Sequence, residues 1–201
     1  MRVSYRWLQE YVPVEQSPEE LAELLTMAGL EVDEVINLGA AYRSLKIGQV
    51  TSLQPHPRAG QLLVCGIRLP GGEVTVVTAA TNLKVGDKVP VALPGSILPD
   101  GKAIQPVEFQ GVVSQGMLCS EEELGLARKS EGIMVLPHDT DLNTDLPAVL
   151  GLDDHVLVLE LTPNRADCYG MLNFAREVAA LTGSQVKIHQ FSVQDELEQS
   201  I

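Results

Sequence analysis

Gly111-Val-Val-Ser-Gln-Gly-Met-Leu-Cys-Ser-Glu-Glu-Glu-Leu-Gly125 decides the fold of this chain. It reads as a strand, a tight Ser-Gln-Gly turn, a second strand, and an acidic helical turn opened by Ser120. Upstream, Pro55-His-Pro-Arg58 closes one strand and Asn82-Leu-Lys-Val-Gly86 lies between two others. Candidate strands cover 46–54, 62–69, 73–78, 88–93, 107–112 and 116–119. Turn residues separate them, among them Pro70-Gly-Gly72, Pro94-Gly95 and Pro99-Asp-Gly101. Five or six short strands with one helical turn near the end predict a five-stranded closed barrel.

The segments on either side read differently. Ser4 can cap a short helix carrying Trp7, Leu8 and Tyr11. Ser17-Pro-Glu-Glu20 starts a second helix, with Ser at the cap, Pro at the first position and Glu three residues after the cap. Leu21, Leu24, Leu25 and Ala28 then share one face, and Gly29 ends the helix. Residues 30–36 alternate as a half-buried strand does. Beyond the barrel, 156–161 is a strand, Thr162-Pro-Asn-Arg165 a turn, and Asp167 the cap of a helix running to Leu181 and ended by Gly183. Residues 186–188 read as a last strand. Neither flank has enough apolar surface for a core, but the two together do. The expected architecture is a discontinuous α+β domain, 1–39 plus 151–190, interrupted by an all-β barrel over 40–150. Residues 191–201 then begin a further segment.

Composition narrows the function. The net charge is −13, with 45% hydrophobic residues and only 4% aromatic ones, which leaves few rings for base stacking. A protein that grips phosphates through counterion release is expected to be basic. The charge is uneven, however. Residues 40–150 hold nine Lys/Arg against eleven Asp/Glu, and the flanks hold five against sixteen. Any nucleic-acid contact therefore belongs to the nearly neutral barrel and is local or assisted. Cys65, Cys119 and Cys168 are far apart, with no Cys-x-x-Cys, so neither zinc nor a disulfide framework is expected. No run approaches the roughly 20 apolar residues of a membrane span, and the N-terminus lacks a signal-peptide pattern. A cytoplasmic protein is expected.

No catalytic set emerges. The four histidines are scattered, Gly-x-Ser-x-Gly is missing, and Glu121-Glu-Glu123 reads as a solvated first turn. Binding has better support. Lys46, Arg58, Lys84, Lys88, Lys102 and Arg128 fall in the barrel region, several beside turn residues, where a shared face would meet a phosphate backbone. Asn82 reads either as a hydrogen-bonding group for a base edge or ribose, or as a turn residue. The prolines around His56 and Arg58 put both in an extended, exposed frame, where His56 stacks, hydrogen-bonds or simply ends the strand. Two of the four residues Gly116, Met117, Leu118 and Cys119 face the barrel interior by alternation. Trp7 reads as a partner surface or, preferably, as packing against the helix at 167–181. Arg165 and Asp167 can pair and fix their turn.

These residues together resemble the N-terminal part of bacterial phenylalanine–tRNA ligase β subunits. Ser4-Tyr-Arg-Trp-Leu8 and Thr26-Met-Ala-Gly-Leu-Glu-Val32 are similar to the opening of that family. Gly48-Gln-Val50, His56-Pro-Arg-Ala59, Leu62-Leu-Val-Cys65, Val85-Gly-Asp-Lys-Val-Pro90, Pro106-Val-Glu-Phe109, Gly116-Met-Leu-Cys-Ser-Glu-Glu-Glu-Leu-Gly125 and Glu131-Gly-Ile-Met-Val-Leu-Pro137 resemble its inserted tRNA-binding barrel. Glu160-Leu-Thr-Pro-Asn-Arg-Ala-Asp-Cys168 and Ala175-Arg-Glu-Val-Ala-Ala-Leu-Thr-Gly183 resemble its segment beyond the barrel. The expected tRNA contacts are Lys46, His56, Arg58, Asn82, Lys84, Lys88, Ser114, Met117 and Ser120, and the resemblance implies that they belong to an OB-type barrel. It also implies an α2β2 assembly with an α subunit that carries the aminoacylation site, and use of ATP and magnesium by that assembly. It places no cofactor and no active site in this piece. The chain departs from the family at Ala59-Gly-Gln-Leu62, Thr78-Ala-Ala-Thr81 and Gln110, changes that remove charge or alter a loop. Weak or assisted tRNA contact is the consequence.

Overall fold

Local capping chemistry and strand alternation set most of the elements. The structure, a computed structural model, describes residues 1–188; the expected segment 191–201 lies outside them. In chain order the elements are β1 (Arg2–Ser4), α1 (Tyr5–Tyr11), α2 (Pro18–Met27), β2 (Glu31–Asn37), β3 (Lys46–Pro55), β4 (Leu63–Leu69), β5 (Gly72–Thr78), β6 (Lys88–Ala92), β7 (Val107–Phe109), β8 (Val112–Ser114), β9 (Met117–Leu118), α3 (Leu146–Val149), β10 (His155–Glu160) and α4 (Met171–Thr182). The chain divides into two compact units. One is Leu38–Asp153. The other joins Met1–Asn37 to the described residues from Asp154 on.

In the discontinuous unit, both early helices start where their caps demand. Ser4 Oγ accepts the Trp7 N–H at 2.9 Å and opens α1. At α2 the capping box is complete: Glu20 N–H donates to Ser17 Oγ at 3.2 Å, and Ser17 N–H donates to the Glu20 carboxylate at 2.8 Å. These bonds hold the Glu20 carboxyl below its usual range. β10 is the central strand of a three-stranded antiparallel sheet ordered β1-β10-β2. The core mixes the two arms: Val3, Leu8, Leu21 and Leu25 pack with Leu157, Leu159, Phe174 and Val178, all fully buried or nearly so. Each such side chain contributes about 1.5–3 kcal/mol on burial.

Three expectations in this unit fail. Trp7 does not pack inward but stays 48% exposed, edge-on to Tyr11 at 6.2 Å; Leu8 takes the buried position. Asp167 does not cap the last helix. It lies in a 3-10 segment, Pro163–Tyr169, and α4 starts behind Gly170. Its carboxylate is occupied by Arg165 instead, at 3.4 Å. Residues 186–188 form no strand, although Lys187 N–H donates to the Tyr11 carbonyl at 2.7 Å.

The other unit is built on a curled five-stranded antiparallel sheet ordered β5-β4-β3-β6-β9, with β7 and β8 forming a separate hairpin. The expected strand over 107–112 is thus two strands. Gln110 and Gly111 turn between them with φ of +45° and +94°, the double left-handed geometry of a two-residue hairpin. Both faces of the sheet are covered. Val50, Cys65, Ile67, Val76, Val89, Val91 and Leu118 fill the concave side. Ile47, Ala92 and Cys119 pack outward with Leu98, Ile104, Leu124, Leu136 and Leu146. Leu118 thus belongs to the interior and Met117 packs against the outer cluster. Gly48 sits where a Cβ would collide with Ile67 and Val91, so the curl depends on its missing side chain.

The Ser-Gln-Gly stretch does not make a hairpin. It bridges to the far edge of the sheet. Gln115 N–H donates to the Thr75 carbonyl at 2.8 Å and its side-chain oxygen accepts the Thr75 N–H at 3.0 Å, while Ser114 Oγ accepts the Val77 N–H at 2.9 Å. Side chains thus satisfy the β5 edge, which is otherwise open for pairing. The turn after Cys119 is capped as expected, although it forms no assigned helix.

Candidate nucleic-acid interface

The strand register separates the basic residues singled out above. Lys46 pairs with Val91 at one end of β3, while Pro55 pairs with Leu63, and Leu63 with Thr78, at the other. Nine residues of extended chain span roughly 30 Å, so Lys46 and Arg58 belong to opposite ends of the sheet. Lys84 sits partway along. Its backbone N–H donates to Asp87 at 2.7 Å, and the same turn exchanges backbone bonds with Val50.

Five of the nine candidate residues spend polar atoms on partners within the protein. His56 is 3% exposed, not displayed by its flanking prolines. Its Nδ1 accepts the N–H groups of Arg58 at 3.1 Å and Ala59 at 3.0 Å, which leaves the ring proton on Nε2 to donate to the Phe109 carbonyl at 2.9 Å. The imidazole ties the loop after β3 to the β7–β8 hairpin. Asn82 clamps Ile133 as a strand would, donating to its carbonyl at 2.8 Å and accepting its N–H at 3.1 Å. The Lys88 ammonium donates to the Thr140 carbonyl. Ser114 Oγ takes the Val77 N–H and donates to the Gly116 carbonyl at 2.8 Å. Ser120 and Glu123 form a second capping box, the Ser120 N–H and hydroxyl donating to the carboxylate at 2.7 and 2.8 Å. Lys46, Arg58 and Lys84 remain exposed, and no side-chain partner engages them among the described residues. The Arg58 guanidinium lies against Gly111 at the hairpin tip, 3.5 Å from where a Cβ would stand.

Two features escaped the sequence reading. Phe109 is 36% exposed beside that tip; the one signal in the sequence was Gly111 interrupting an apolar strand pattern. Around Lys46 there is a cavity of about 530 Å³, lined by Leu45, Leu69, Val74, Leu93 and Leu142 with Glu73 and Asp145 at its rim. Contacts from four separated segments build it, and no local motif encodes those. The thiols are buried. Burial pushes Cys65 up to about 11 and, with Glu123 adding to it, Cys119 up to about 12. Asp167, Cys168 and Glu177 converge among the described residues, but Arg165 spans both carboxylates, at 3.4 and 3.0 Å, and donates to the Cys168 sulfur at 3.0 Å. A guanidinium in that position and a soft thiol do not fit a magnesium site.

A curled antiparallel sheet that shows exposed cations beside its turns has the form of a binding module. The chain belongs to the putative tRNA binding domain family, whose model matches residues 45–145. Beyond that module, it is 48% identical over 94% of its length to the phenylalanine–tRNA ligase beta subunit of Moorella thermoacetica, and 40% identical over 98% of its length to that of Syntrophus aciditrophicus. It covers 24% and 25% of those two proteins and so spans about a quarter of the length of the curated relatives it matches. Among solved structures, a MetRS related protein from Pyrococcus horikoshii matches 51% of this chain and 87% of its own at 21% identity. Its TM-score of 0.39 is too low to define the fold. No helix among the described residues is long and apolar enough to cross a membrane.

Proposed function

We propose that this chain is the tRNA-contacting part of a phenylalanine–tRNA ligase beta subunit and supplies no reacting group of its own. The match to beta subunits across both compact units carries this reading, since a free-standing tRNA-binding or chaperone-like barrel has no need of the flanking arms, and salt-dependent binding to tRNA separates it from a purely structural module. In this reading the curled sheet is an OB-type barrel inserted in the discontinuous α+β domain, and the assembly is an α2β2 cytoplasmic enzyme. The α subunit performs ATP- and magnesium-dependent charging of tRNA with phenylalanine. ATP and magnesium belong to that assembly, and the acidic cluster among the described residues is already filled by Arg165.

The register and the internal hydrogen bonds favour a narrower set of binding residues. Arg58 and Lys84 reach phosphates from exposed turns, Lys46 does so only from the opposite end, His56, Lys88, Ser114 and Ser120 shape the loops from within, and Asn82 clamps Ile133 at the surface. Anisotropy titration with unfractionated tRNA across a salt series tests this. Binding strongest at low salt is expected, and the double variant R58Q/K84Q should reduce the log–log salt slope by about 2. Salt-independent binding, or no binding at low salt, would overturn the reading.

A further inference from the structure

The chain has few aromatic side chains, and its three phenylalanines include one that is 36% exposed, at the end of β7. Phe109 is followed by Gln110 at φ +45°, the only non-glycine among the described residues with positive φ. Glycine would occupy that position without strain, whereas an L side chain there is disfavoured. The strain carries a long amide to the tip of a two-residue turn, where it packs no core. A local outlier of this kind points to use rather than to folding. Gly111 then leaves its α-carbon bare, and the unpartnered Arg58 guanidinium lies on it. Buried His56 holds the arrangement from behind, with Nε2 on the Phe109 carbonyl and Nδ1 on the N–H groups of Arg58 and Ala59. A ring, an amide and a guanidinium thus lie beside one hairpin tip, and a single imidazole ties the backbone of Phe109 to that of Arg58.

We propose that this hairpin tip, Phe109-Gln110-Gly111 with Arg58, is a platform for one unpaired nucleotide of tRNA: the base stacks on Phe109, the Gln110 amide hydrogen-bonds a base edge, and Arg58 meets the phosphate. The three groups match the three parts of a nucleotide. Stacking tolerates any base because every base has a π-face. The platform also explains how a chain of net charge −13 holds RNA, since a stack needs no counterion release. The proposal rests on the tRNA-binding reading above and adds the location and the class of nucleotide.

The test uses the 201-residue chain, total tRNA, a twelve-nucleotide unstructured RNA and a blunt RNA duplex of equal length. Phe109→Leu should weaken binding to tRNA and to the single strand about tenfold, leaving the salt slope and duplex binding unchanged. Gln110→Gly should raise the melting temperature and weaken single-strand binding at the same time; a residue with only a structural role would give the first effect without the second. If the parent chain binds tRNA while both variants bind RNA as the parent does, the platform is wrong and the broader reading stands. If the parent chain binds no tRNA, both fall.

Discussion

His56 shows how a side chain that reads as a displayed contact becomes a joint. The prolines on either side of it do favour extended backbone, but extension at a loop base can turn a ring inward as easily as outward. Here both ring nitrogens find partners and the residue is 3% exposed. Replacing His56 with Ala leaves the Phe109 carbonyl and two loop N–H groups without their partner, and should cost about 1–3 kcal/mol in denaturant unfolding. A loss under 0.5 kcal/mol would show that water satisfies these groups. The thiols behave consistently with burial. Cys65, Cys119 and Cys168 should resist an aromatic disulfide reagent at pH 8 in the native chain, and all three should react once it is unfolded. Cys65 and Cys119 have folded-state pKa values above the usual 9.0, about 11 and about 12. They favour the folded chain below pH 9, and that contribution is lost as pH rises through those higher values. Rapid native labelling at pH 8 would contradict the buried placement.

At the scale of elements, the chain is organised around edges. β5 is an edge strand, and the residues that cover it are a serine at the end of β8 and the glutamine that follows it. Ser114→Ala removes the acceptor of a buried N–H on Val77 and should destabilise the chain by about 1–3 kcal/mol, measured by thermal or urea unfolding. Because the freed edge can template pairing, the variant should also aggregate faster at 37 °C, which static light scattering would record. A variant as stable and as soluble as the parent would mean that the edge does not depend on this bond. Asn82 performs the same service for Ile133, with a side-chain amide standing in for a backbone one. At both places polar residues that look ready for a ligand complete the sheet.

For the whole molecule, the distribution of the cores predicts how it comes apart. Every member of the two clusters on the curled sheet lies between Tyr42 and Leu146. The remaining cluster draws on both chain arms, and its sheet has β10 in the centre. A fragment comprising 38–153 should therefore fold alone, with a cooperative melt and a β-type circular dichroism spectrum. A fragment of 1–37 should stay unfolded, because β1 and β2 lose the strand between them. Folding of 1–37 by itself, or failure of 38–153, would count against this partition of the stability.

What the sequence determined by itself is what neighbours in the chain control. The capping boxes at Ser17 and Ser120, the helix stop at Gly183, the alternation of the strands and the charge contrast between middle and flanks are all local, and all are legible without coordinates. The split of 107–112 was not legible, because Gln-Gly is not one of the dipeptides that favour a left-handed pair and Gln110 takes φ +45° only in the folded hairpin. Only the tertiary structure decided which polar groups face solvent. His56, Asn82, Lys88 and Ser114 meet partners 37 to 53 positions away, and such distances depend on strand order and register, which no local pattern carries. Tertiary structure also placed Lys46 and Arg58 at opposite ends of one sheet, because the length of a strand, not the proximity of two motifs in the chain, sets how far apart their charges lie.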